Sequence, residues 1–79
     1  MMYLLEKNYY VPYEQDDTEL LCVSSNRKLL MARAKSLAVS EYGHLFKEAT
    51  FFDEGDRTYI ERSINGADIT FSVSKIEEI

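Results

Sequence analysis

The chain is poor in the residue types that build covalent staples, metal sites and phosphate cradles: 79 residues hold one cysteine, one histidine, one proline, three glycines and no tryptophan. The lone Cys22 cannot close an intramolecular disulfide, which points to a reducing compartment. It sits in the apolar run Leu20-Leu21-Cys22-Val23, where a thiol acts as a small buried hydrophobe. A catalytic thiolate needs a basic partner, and nothing local ties His44 to Cys22. There is no glycine-rich phosphate loop, and three glycines leave little material for a cofactor cradle, so no cofactor is expected. Glu77 and Glu78 point to opposite faces of a strand and cannot work as an acid and base pair. The chain therefore reads as a non-enzyme with no catalytic residues.

Long apolar runs are also missing. None approaches the ~18 residues of a membrane span. The start, Met1-Met2-Tyr3-Leu4-Leu5-Glu6-Lys7, lacks the basic opening and apolar stretch of a secretion signal. Together with the cysteine usage this predicts a cytoplasmic protein with no membrane partner.

What is present is the composition of a small globular domain. Apolar residues make up 46%, charged residues 29%, and the net charge is −5, too mixed in sign for disorder. A chain this size buries roughly 60 to 65% of its unfolded surface, enough for one core, so residues 1–79 form a single domain. Its net stability is only a few kcal/mol, roughly 3 to 5.

Residues 2–11, MYLLEKNYYV, are rich in aromatic and branched side chains and predict a first strand ending near Pro12. Residues 13–19 carry four acids and no base, the makeup of a solvated loop. Leu20 to Val23 predict a short second strand, antiparallel to the first. Ser24, Ser25 and Asn26 are good N-caps, and Arg27 to Tyr42 contains neither Gly nor Pro. At 100° per residue Leu30, Met31, Ala34, Leu37, Ala38 and Tyr42 share one sector, which predicts an amphipathic helix packed on one side and stopped at Gly43. Small Ala34 and Ala38 in mid-stripe let that helix approach a sheet closely.

Asn65-Gly66 is the sharpest local signal, since it tolerates positive φ at both central positions of a type I′ turn. A two-residue loop there pairs Ile64 with Ala67, Arg62 with Ile69, Ile60 with Phe71 and Thr58 with Val73, and gathers the apolar side chains on one face. Tyr59, Glu61 and Ser63 then face the other way with Asp68, Thr70 and Ser72. Residues 45–52, LFKEATFF, alternate acceptably and predict a further strand leading into this hairpin, with a short helical extension as the alternative. Ile76-Glu77-Glu78-Ile79 continues or frays the last strand. The expected fold is α+β, an antiparallel sheet of four or five strands with one helix on one face, in the order β-β-α-β-β, with one more strand if residues 45–52 are extended.

Charge is uneven. Residues 27–42 hold Arg27, Lys28, Arg33 and Lys35 against Glu41, a net of +3 that leaves −8 elsewhere. Basic side chains on the helix could touch phosphate, but affinity for nucleic acid needs several phosphates neutralised, and an acidic total opposes it. The acidic loops around residues 14–19 and 53–56 do not match the ligand spacing of an EF-hand, so no metal is expected. Acidic loops can instead occupy a basic groove on another protein. Four of the six tyrosines, Tyr3, Tyr9, Tyr10 and Tyr13, fall in the first strand and its exit. Alternation sends Tyr9 and Tyr10 to opposite faces, so at least one lies outside the core, and exposed tyrosine beside acids suits a protein-binding surface. The candidate partner-binding residues are Tyr9, Tyr10, Tyr13, Glu14, Asp16, Asp17 and Glu19.

An N-terminal strand, a second strand ending Val-Ser-Ser, a helix opening Asn-Arg-Lys-Leu-Leu, a late Tyr-Ile-Glu and the terminal Ile-Glu-Glu-Ile together resemble a broad group of small uncharacterised proteins from bacteria and their phages. The resemblance implies binding of a host or partner protein, in some cases to inhibit it, and brings no site residues with it. The leading reading is a non-catalytic protein-interaction module, such as a phage or mobile-element accessory protein, acting through an acidic, tyrosine-rich surface. The alternatives are a homo-oligomer that pairs through exposed sheet edges and a weak nucleic-acid contact through the basic helix.

Overall fold

The computed structural model describes residues 1–14 and 16–76. Five strands form one antiparallel sheet: β1 (Met2–Tyr10), β2 (Asp17–Ser24), β3 (Phe52–Asp53), β4 (Arg57–Ile64) and β5 (Ala67–Ile76). Their spatial order is β2-β1-β5-β4-β3. Helix α1 (Arg27–Tyr42) and the single turn α2 (His44–Lys47) connect β2 to β3. The fold is α+β, as the pattern of periods predicts.

The hairpin has the expected register. Ile64 faces Ala67, Arg62 faces Ile69, Ile60 faces Phe71 and Thr58 faces Val73. Asn65 and Gly66 sit at φ 52° and 84°, the left-handed pair that a type I′ turn requires and that matches the twist of the flanking strands. Ile60, Ile69, Phe71 and Val73 are all buried. The last strand continues through Ile76; Glu77, Glu78 and Ile79 lie outside the described residues.

Helix α1 starts where the cap residues predict. The Asn26 side chain accepts from the Leu29 amide at 3.1 Å, satisfying one of the free donors of the first turn. Gly43, at φ 66°, returns its own amide to the Val39 carbonyl at 2.8 Å and ends the helix. Leu30, Ala34 and Ala38 are fully buried, while Met31, Leu37 and Tyr42 pack partly buried around them. Arg27 ties the start of α1 to the sheet by donating to the Thr58 hydroxyl.

Two sequence expectations are corrected. Residues 45–52 are not a strand: His44–Lys47 is a helical turn, and only Phe52, with Asp53, reaches the sheet, against Tyr59 and Thr58. The reason is spacing. Phe46 and Ala49 are the buried residues of this segment, three apart, and period three is helical rather than extended. Phe46 meets Phe71 edge to face, with ring centroids 5.7 Å apart, a favoured aromatic geometry. The alternative of a short helical extension is the one the chain adopts. Second, β2 begins at Asp17 rather than Leu20, because β1 is long enough to pair Tyr9 with Asp17 and Lys7 with Glu19. Two acids that composition assigns to a loop therefore stand on a strand.

Because α1 lies against the sheet through alanine, its stripe is sensitive to volume. Ala38→Leu is expected to destabilise the domain by ~1 to 3 kcal/mol through overpacking. Ala32→Leu, on the exposed side of the same helix, is expected to change stability by less than about 0.5 kcal/mol. Urea denaturation of the two variants checks the pair, and equal effects would contradict the placement of the helix.

Candidate functional site

Partners across an antiparallel ladder point to the same face. Lys7 and Tyr9 on β1 therefore share the helix side of the sheet with Glu19 and Asp17 on β2. Between the β1-β2 ribbon and the last turn of α1 lies a cleft of about 480 Å³ lined by Lys7, Tyr9, Asp17, Thr18, Glu19 and Tyr42.

Lys7 forms its floor. Its Nζ donates to Glu41 Oε2 at 2.7 Å and stands 4.9 Å from the centre of the Tyr42 ring. Phe71 lies beneath, 5.9 Å away. Burial pulls the Lys7 pKa down, but the hydrogen bonds to Glu41 and Tyr42 and the attraction to both more than offset it, so the ammonium sits above the usual lysine value. Glu41 thus neutralises Lys7. Asp17 and Glu19 have no ion pair among the described residues, so the rim of the cleft is left with two uncompensated carboxylates beside two tyrosine rings.

Of the seven residues expected to bind a partner, the structure brings Tyr9, Asp17 and Glu19 into this cleft. Tyr10 stands on the opposite face, where it pairs with Asp68. Tyr9 and Tyr10 are 41% and 42% exposed, so both tyrosines lie outside the core. Tyr13 projects from the turn at φ 70°, its side chain fully exposed, and Glu14 and Asp16 are exposed on the same turn. The acidic surface is thus split: a cleft on the helix side and a bare turn beside it. Lys7 and Tyr42 are the cleft residues that composition alone does not reveal. Their signal is positional, Lys7 being the one charged residue on the apolar face of the first strand and Tyr42 the last residue of the helical stripe.

A second polar cluster lies on the other face of the sheet, at its far edge. Tyr59 donates to Glu54 at 3.0 Å, stacks on Phe52 with centroids 5.5 Å apart, and carries the Arg57 guanidinium 4.6 Å from its ring centre. The bond to Glu54 stabilises the neutral phenol and raises its pKa. These groups satisfy one another, which marks them as a brace for the short β3 rather than an open site.

Among the described residues no three His, Cys, Asp or Glu side chains are grouped as metal ligands, and no helix is long and apolar enough to cross a membrane. Comparison with protein-family models, with curated proteins and with solved structures found no match, so the function is argued from the geometry alone.

The floor of the cleft has its own test. A double-mutant cycle of Lys7→Met and Glu41→Gln is expected to give a coupling of about 0.5 to 1 kcal/mol at pH 7, since the pair is only partly shielded from water. Because the folded pKa of Lys7 is raised, this contribution is complete below the unfolded lysine pKa of about 10.4 and disappears as the pH climbs through the folded value. Zero coupling at pH 7, or a coupling that grows above pH ~10.5, would contradict the described pairing.

Proposed function

We propose that the chain is a non-catalytic interaction module, an accessory protein that holds a partner by receiving one of its basic side chains in the cleft between β1, β2 and the end of α1. The observation that supports this is the pair Asp17 and Glu19, set opposite Tyr9 and Tyr42 around one concavity and lacking a cation of their own among the described residues. A guanidinium entering there gains charge-assisted hydrogen bonds from the carboxylates and stacks on tyrosine. Arginine fits better than lysine, because its planar head can do both at once. Tyr13, Glu14 and Asp16 on the adjoining turn extend the same negative potential and steer a basic partner to the cleft.

The bases of α1 favour this reading over contact with nucleic acid. Arg27 is committed to the Thr58 hydroxyl and lies 3.7 Å from Asp53. Lys35 donates to the Ala49 carbonyl. Lys28 and Arg33 are what remain on that helix, too few to neutralise a run of phosphates.

Titration of the isotope-labelled protein with an arginine-rich hexapeptide tests the proposal. Amide shifts are expected at Lys7, Tyr9, Glu19 and Tyr42, weakening as salt rises. Combining Asp17→Asn with Glu19→Gln is expected to weaken binding at least tenfold, about 1.4 kcal/mol, while Tyr10→Ala on the opposite face leaves it unchanged. Shifts confined to Tyr13, Glu14 and Asp16, or binding indifferent to the two carboxylates, would refute the cleft as the contact.

A further inference from the structure

β2 is an edge strand, hydrogen-bonded among the described residues to β1 alone; its eight residues, DTELLCVS, contain neither lysine nor proline, and of the other features that blunt an edge it has two inward acids at one end and a single bulge at Leu21. Its side chains follow an unusual order. The ladder to β1 pairs Leu4 with Val23, Leu5 with Cys22, Glu6 with Leu20 and Lys7 with Glu19, and slips by one residue between Leu5 and Glu6. Leu21 is the extra residue, and like Cys22 it packs against the core. Ser24, Cys22, Leu21 and Glu19 therefore face the helix side, and Val23 and Leu20 face the outer side. From residue 19 to residue 24 the pattern is inward, outward, inward, inward, outward, inward. It reads the same in both directions about the Leu21-Cys22 bond.

A strand with that symmetry can pair with itself. We propose that β2 joins β2 of a second copy of this chain, antiparallel, about a two-fold axis through the Leu21-Cys22 bonds, forming one ten-stranded sheet with both helices on the same side. In this register Leu20 lies opposite Val23 of the other copy, Leu21 opposite Cys22, and Glu19 opposite Ser24. Every pair then shares a face. Leu20 and Val23 are 68% and 51% exposed in the single chain, and the pairing turns them into a continuous apolar strip along the outer face, bordered by Leu4 of each copy.

The charges agree with this register. No two carboxylates meet across it. Antiparallel pairing also sets the acidic end of β2, Asp17 to Glu19, beside the end of the other copy's β2, from which the chain enters α1 with Arg27 and the exposed Lys28. The acidic run before β2 and the basic helix after it, separate in one chain, are complementary between two. The pairing leaves Glu19, opposite Ser24 of the other copy, in its helix-side place in the cleft, and it rests on β2 alone, not on the proposed function.

Sedimentation equilibrium of the wild-type protein and two variants tests the pairing. The wild-type protein is expected to dimerise, and Leu20→Lys and Val23→Glu each to weaken the dimer at least tenfold, since each sets two charges against two apolar side chains. An equimolar mixture of the two variants is expected to recover a dimer. There the lysine introduced at 20 faces the glutamate introduced at 23, and the remaining pair is the native Val23 with Leu20. The recovery also shows that both variants are folded. A wild-type Kd weaker than about 1 mM, or a mixture no more associated than its components, would overturn the proposal, and in either case the hexapeptide titration still judges the cleft on its own.

Discussion

The pairing of β1 with β5 is the constraint on which everything else in this molecule depends. It runs unbroken from Met2 opposite Ile76 to Tyr10 opposite Asp68 and joins the first and last strands of the chain. Without it the molecule is a two-stranded β1-β2 ribbon and a β4-β5 hairpin edged only by the two residues of β3, and units that small are marginal in water. With it, Leu5 on β1 and Phe71 and Val73 on β5 form a single floor, and Leu30, Ala34, Ala38 and Phe46 close over it. The cost is a long loop closure, since contacts between the two ends must form before they are rewarded.

Local elements were legible in the sequence to the extent that their signals were local. Asn65-Gly66 announced its own turn type and, through period two, the whole register of β4 and β5. Asn26 and Gly43 announced the ends of α1. The failures fall where tertiary packing decided. Residues 45–52 contain enough alternation to imitate a strand, yet Phe46 is drawn into the aromatic cluster with Tyr42 and Phe71, and one helical turn is the conformation that delivers it there. Asp17 and Glu19 look like loop because they are acids, but strand length is set by the partner, and β1 offers backbone as far as Tyr10. The β1-β5 ladder itself has no signature in composition or spacing.

The site follows the same logic. Alternation along the first strand separates Tyr9 from Tyr10 in the sequence itself, but the acids could not be assigned to a face until β2 was known to start at Asp17. Once it does, Asp17 and Glu19 join Tyr9 on the helix side. Lys7 was hidden by its setting: a lysine on an apolar face suggests a stem that snorkels to water, whereas here it ends in a bond to Glu41 under the last turn of α1. That bond settles the cleft's electrostatics by cancelling the one positive charge in it.

Among the described residues no helix covers the outer face of the sheet, and the way the chain manages that face bears on how it can associate. Along β5 the outward residues from Asp68 to Ser74 (Asp68, Thr70, Ser72 and Ser74) are small or polar, with Ile76 following at the strand's end opposite Met2, and Thr70 and Ser72 are nonetheless buried. Their neighbours screen them: Ser72 lies between Glu6 and Tyr59, and Thr70 between Asn8 and Glu61, with the Thr70 hydroxyl donating to Glu61 at 2.7 Å. Central hydroxyls flanked by larger side chains make a polar trough with little apolar area to drive a second layer onto it. Apart from Tyr10 at the end of β1, the large exposed apolar side chains on this side lie at the two edges, Phe52 at one and Leu20 and Val23 at the other. The first is held against Tyr59. The second lies beside backbone that pairs with no other strand among the described residues, so the exposed apolar side chains and the free sheet edge coincide along β2, which is the ground for the proposed pairing there.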